Sequence, residues 1–170
     1  KELANPAWAE SVLIYLQDTS VARAFRFGPA NVRFEKAGYA FLAMKNMLQT
    51  PVRLECTGSD EAGFATLAGK SEGEDSVRVL ISNFGTDYKE FLLTVKALPW
   101  HGKTSTVQLY VIDDTHNMTL VEKSEESVRE SLVMRHEMAP SSVYLISLET
   151  SETVAETAIS TQTSYTQSLP

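Results

Sequence analysis

The chain has 170 residues, 43% hydrophobic and 22% charged, which suits one globular domain or one domain with an appendage. Its formal charge is −7 and its fifteen basic residues are scattered, which argues against nucleic acid as a partner and leaves neutral sugars or proteins. No run of about eighteen apolar residues exists, so no membrane-spanning helix is expected.

The N-terminus, KELANPAWAE, reads as the middle of a fold and not as a signal peptide. Asn5-Pro6 is a helix start, because Asn caps and Pro fits the first turn. The helix continues through Leu16 with apolar residues over much of its circumference, so it wants burial on more than one side. Val21–Phe27 reads as a strand closed by Gly28-Pro29, with Arg23, Phe25 and Phe27 on one face. A second helix spans Glu35 to Leu48, where Ala37, Phe41, Met44 and Leu48 recur at helical spacing. Core packing is the stronger reading of its methionines; a pliable binding surface is the other. A lone strand between two helices must pair with something else, inside this chain or outside it.

From Pro51 onward Gly, Asp, Ser and Thr punctuate short runs. Strands are expected over Val52–Thr57, Phe64–Lys70, Val77–Ser82, Tyr88–Lys96, Thr106–Asp113, Glu130–Met138 and Ser142–Leu148. Gly58–Gly63 and Ser71–Asp75 read as hairpin turns. The stretch Ser76–Lys96 reads as two strands joined by the turn formers Asn83 to Asp87, a hairpin at the middle of the sandwich. Met118–Val128 reads as a loop crossing between sheets. The tail from Glu149 is rich in Ser and Thr and would be disordered alone. The fold class is therefore mainly β with two N-terminal helices, an antiparallel β-sandwich of about seven or eight strands.

The order of LIYLQDTSVARAFRF, KAGYAFLAMKNML, ATLAGKS and VRVLISNFGTD resembles the C-terminal part of clan A glycoside hydrolases. The likeness is to family thirty-nine and its relatives, of β-xylosidase, α-L-iduronidase and endoglycosidase types. It implies three regions: residues 1–50 as the helix-strand-helix end of a (β/α)8 barrel, 51–149 as an accessory sandwich, and 150–170 as a tail. Retaining enzymes of that clan use two glutamates at the ends of barrel strands. By the resemblance both positions precede Lys1, so no catalytic residue is expected in this chain, and neither Glu2 nor Glu10 takes their place. A solvated charge is the expectation for Glu10. The partner implied is the rest of the barrel, in a missing N-terminal part or another chain, and an oligo- or polysaccharide as ligand.

Weak substrate contacts are placed on Phe25 and Phe27, at the mouth of such a barrel, with barrel-core packing as the plainer account. Trp100 with His101, beside Tyr110, could form a platform for a pyranose ring; such aromatics also seal sandwich cores. The alternative function is a stand-alone carbohydrate-binding or structural module. Asp113-Asp114-Thr115-His116-Asn117 is the most polar cluster, read as a turn satisfying its own backbone in preference to a cation site. Cys56 reads as a structural thiol. Gly69-Lys70-Ser71 is no phosphate loop, since Phe64 stands where its earlier glycine belongs. Asn117-Met118-Thr119 matches a glycosylation acceptor, relevant only in a secreted eukaryotic protein. No metal or other cofactor is implied, and a single thiol leaves the compartment open.

Overall fold

The computed structural model describes residues 5–23, 36–100, 102–128 and 131–150. Among the described residues two helices, α1 (Pro6–Leu16) and α2 (Lys36–Met47), precede eight strands. These are β1 (Val52–Arg53), β2 (Phe64–Lys70), β3 (Ser76–Asn83), β4 (Glu90–Lys96), β5 (Thr104–Ile112), β6 (Asn117–Ser127), β7 (Ser131–Glu137) and β8 (Ser142–Thr150). All pairings are antiparallel. The large sheet has the order β1-β2-β3-β8-β5-β6, and β4-β7 form a separate ribbon. The mainly-β class with two leading helices is thus what the chain adopts.

Alternation along the central strands explains the layering. Val77, Val79, Ile81, Val107, Leu109, Tyr144, Ile146 and Leu148 join one core with Phe91 and Leu132 of the ribbon. Leu80, Val143 and Leu145, from the opposite parity, join a second core with Ala7, Ile14, Ala43 and Met47 of the helices. The large sheet is therefore clad on both faces, by the ribbon on one and by the helix pair on the other. This second core bridges the expected boundary near residue 50.

α1 begins as the sequence predicts: Asn5 Oδ1 accepts from the backbone N–H groups of Ala7 (2.9 Å) and Trp8 (3.2 Å), with Pro6 in the first turn. Two hydroxyls fasten it to β3. Ser82 Oγ donates to the Ala7 carbonyl (2.7 Å), and Ser11 Oγ donates to Ser82 Oγ (3.0 Å). Ala9 meets Ala37 and Ala40 where the two helices touch.

Four expectations need correction. β3 and β4 do not form a hairpin: β3 pairs with β2 and β8, while β4 pairs with β7 in the other sheet. The turn formers between them instead carry the chain across the sandwich. Asn83 is buried and its Nδ2 donates to the Ala139 carbonyl (3.1 Å). The Phe84 N–H donates to the Gly63 carbonyl (3.1 Å), which fixes the crossover to a neighbouring loop. Met118–Val128 is no loop, since Asn117–Ser127 is the long edge strand β6, bent by irregularities in its register with β5. β1 is two residues long, not six. The strand expected over Val21–Phe27 is absent at Val21, Ala22 and Arg23, which are exposed; its remaining residues lie outside those described.

Two glycines permit close approaches. A Cβ on Gly63, whose φ is +115°, would lie 1.8 Å from the Phe84 carbonyl oxygen. A Cβ on Gly69 would lie 2.2 Å from the Thr50 carbonyl oxygen, where the chain leaves α2 and crosses β2. Gly69 thus serves packing, whatever its likeness to a phosphate loop. Gly63→Ala and Gly69→Ala are each expected to destabilise by about 2–4 kcal/mol. Gly58→Ala, with a similar φ of +119° but open space, should cost about 1 kcal/mol. Urea unfolding of the three variants measures the difference.

Candidate functional site

Phe25 and Phe27 lie outside the described residues. Trp100 is 2% exposed and belongs to the core beneath the ribbon, with its indole N–H donating to the Glu74 carbonyl at 2.5 Å. A sugar ring would reach it only if that core opened. Tyr110 packs against the other core, on the helix side of the large sheet, and its hydroxyl donates to Gln108 Oε1 at 3.4 Å. The fold therefore separates this pair instead of bringing it together. His101 lies outside the described residues. Cys56 is a half-buried free thiol donating to Thr66 Oγ1 (3.3 Å). Among the described residues no group of three or more His, Cys, Asp and Glu is placed to hold a metal ion.

The Asp113 cluster is a self-satisfied turn. Asp113 Oδ1 accepts from the backbone N–H groups of Thr115 and His116, both at 2.7 Å, and from the Thr115 hydroxyl. His116 Nδ1 lies 2.9 Å from both carboxylate oxygens. Burial pushes this carboxyl up, but the hydrogen bonds from His116 and Thr115 outweigh burial and bring its pKa down to about 2. The Lys36 ammonium at the start of α2 donates to the carbonyls of Asp113 (2.6 Å) and His116 (3.1 Å), so the turn also anchors a helix.

Glu10 contradicts the expectation of a solvated charge. It is fully buried, and neither carboxyl oxygen has a hydrogen-bond partner among the described residues. Burial raises its pKa well above the usual carboxylate range, so the neutral acid is favoured. Sequence pattern misled here because residue 10 lies beside the sheet-facing stripe of Ala7, Ser11 and Ile14 on a helix buried on more than one side.

A third arrangement was not visible in the sequence. Asp60 Oδ1 accepts from the backbone N–H groups of Ala62 (2.9 Å), Gly63 (3.1 Å) and Phe64 (3.1 Å). The Tyr88 hydroxyl donates to its other oxygen at 2.6 Å, and the Tyr15 hydroxyl donates to its backbone carbonyl at 2.8 Å. Two tyrosines from distant parts of the chain thereby converge on one turn. Their hydrogen bond from Tyr88, and those from the turn backbone, hold the Asp60 carboxyl below its ordinary pKa. A cleft of about 360 Å³ opens beside Tyr88, between residues 56–60, β2 and β4.

No protein-family model matches the chain, and no curated protein sequence matches it either. Solved structures do. The chain is similar to a glucosidase from Croceicoccus marinus, with TM-score 0.77 and 24% identity over 88% of this chain and 42% of that one. It is similar to a GH30 endoxylanase from Clostridium papyrosolvens C71, with TM-score 0.62 and 12% identity over 86% of this chain and 38% of that one. A family 44 xyloglucanase from Paenibacillus polymyxa matches with TM-score 0.63 and 11% identity, over 86% of this chain and 29% of that one. The fold is thus one found within glycoside hydrolase chains. The chain spans less than half the length of these structures.

Two titrations follow from the site. Glu10 has a raised folded pKa, so its contribution is fully present below the unfolded value of about 4.3 and is lost as pH rises toward the folded value. Stability should fall across that window by up to about 1.4 kcal/mol per pH unit. Glu10→Gln should flatten the fall and raise the midpoint at neutral pH; thermal melts from pH 4 to 8 compare the two. Asp113 has a depressed folded pKa, so its contribution is present above about 3.9 and is lost as pH falls toward about 2. Asp113→Ala should lower stability at pH 6 by about 1–2 kcal/mol and by far less at pH 2, measured by urea unfolding at both.

Proposed function

We propose that this chain is the C-terminal portion of a glycoside hydrolase. Its sandwich braces a catalytic barrel supplied by other residues, and the chain itself carries neither catalytic glutamate. The observation that carries the reading is coverage: almost all of this chain overlays on glycoside hydrolase structures, and it accounts for less than half of each. The helix pair adds support. Its described residues include exposed Val12 and Phe41, with Leu48 just beyond α2 at 75% exposure, apolar side chains available to pack against a further layer. Assignment to family thirty-nine rests on the order of the sequence segments alone.

A self-standing binding or structural module is the second reading. One observation favours it: α1 and α2 already share a core with β2, β3 and β8, so the helices have a place without a barrel.

Aryl glycosides separate the two. The 170-residue chain should show no turnover, whereas a protein extended upstream through a barrel should hydrolyse them. Turnover by the short chain, reproduced from two unrelated expression hosts, would overturn the proposal. An inactive extended protein would overturn it equally.

A further inference from the structure

We propose that the Asp60 turn, with the rings of Tyr15 and Tyr88, is a surface binding site for a neutral saccharide. The choice of a saccharide over another ring-stacking ligand rests on the glycoside hydrolase reading above; the site itself rests on geometry.

Three features build it. Tyr15 and Tyr88 are 43% and 45% exposed, yet neither ring is loose. Their hydroxyls are tied to the same residue, one to the Asp60 carbonyl and one to its carboxylate. Tyr88 also stands edge-on to Phe64, with ring centroids 5.8 Å apart at 71°. Ordering these rings costs little when a ligand arrives, because the fold has already ordered them.

The Asp60 turn separates two hollows. One is the cleft lined by Cys56, Asp60, Phe64, Thr66, Tyr88 and Glu90, of about 360 Å³. The other, of about 490 Å³, is bounded by Tyr15, Ser59, Asp60, Glu61 and Gly63. Both volumes lie within the range of small-ligand clefts, about 300–1,000 Å³. The chemistry at the rim is aromatic faces beside carboxylates and hydroxyls. Aromatic faces suit the C–H face of a pyranose, and carboxylate oxygens accept its hydroxyl protons. Glu90 is offset by its ion pair with Arg135 (2.6 Å), but Asp60, Glu61 and Asp87 leave these two loops acidic, so an acidic polysaccharide would be repelled and a neutral one admitted.

The test uses the 170-residue chain in native gels containing xyloglucan, arabinoxylan or mixed-linkage β-glucan. Retardation by at least one of them is expected. Tyr88→Ala should weaken it about tenfold or more, and Tyr88→Phe, which keeps the ring but loses the anchor, by less. Val133→Ala, on the exposed face of the ribbon, should leave it unchanged. Should Tyr88→Ala fail to fold, amide shifts of the wild-type chain on adding xylohexaose or cellohexaose give the same answer. Changes confined to residues around 15, 56–66 and 86–90 support the site, and changes elsewhere overturn it. No retardation by any of the three polysaccharides overturns it too, as does a folded Tyr88→Ala that binds like the wild type. If Tyr88→Ala instead disrupts assembly with an upstream barrel while saccharide binding is untouched, the surface is a protein interface and the proposal falls. Absent binding beside an active extended protein removes this site alone; an inactive extended protein beside intact binding removes the hydrolase reading alone.

Discussion

The structure depends on a six-stranded antiparallel sheet that must be covered on both faces. β3 is buried from Val77 to Asn83 and β8 from Ser142 to Leu148, with no exposed position in either run. An antiparallel sheet with one wet face would alternate apolar and polar. These two central strands do not, so each face requires its own apolar cladding. The ribbon β4-β7 supplies one layer and the helix pair the other. The edges are handled differently. β1 ends after two residues, and β6 carries Glu122, Lys123, Glu125 and Glu126 along an exposed strand. A very short edge and a charged edge both discourage pairing with another chain.

Much of this was legible in the residues, and the failures share a cause. The start of α1 and most strand bounds followed from the Asn5 cap, turn formers and runs of β-branched residues. Partnership did not. Ser76–Lys96 carries every local mark of a hairpin, yet its two strands differ in kind. β3 is buried on both faces, whereas β4 alternates, with Phe91 inward and Leu92 at the surface. Strands so different belong to different layers, and the residues between them serve as a bridge held by Asn83, Thr86 and Gly63. The charged run TLVEKSEES has no apolar face and so reads as a loop, yet an edge strand needs none, because β5 provides the hydrogen-bond ladder.

The candidate sites show the same limit. Trp100 and Tyr110 read from the sequence as aromatics at strand ends that could share a platform, but strand parity and the bend before β5 send them to opposite faces of the sheet. Tyr15 and Tyr88 are far apart in sequence and converge, because α1 packs on β3 and the crossover after β3 passes the Asp60 turn. Periodicity finds what lies along one element. It cannot find a meeting between a helix, a loop and a crossover. The Asp113 turn was legible for the opposite reason: all its bonds lie within a few residues.

Glu10 and Asp113 bear on the same helix layer from opposite directions of pH. Asp113 holds the turn that receives Lys36 at the start of α2, and it holds it more tightly while ionised. Glu10 sits within α1, buried without a described partner, and it favours the fold only while neutral. The first contribution is complete above about pH 3.9 and the second below about pH 4.3. As far as these two groups set it, the helix layer is therefore held most firmly in mildly acidic solution and loosens toward neutrality. A cation brought next to Glu10 by further residues would abolish the fall toward neutrality and put a gain with pH below about 4.3 in its place, since ionisation would then be favoured instead of penalised. The pH dependence of this chain thus reports whether its buried carboxyl stands alone, which no inspection of the helix's own sequence could decide.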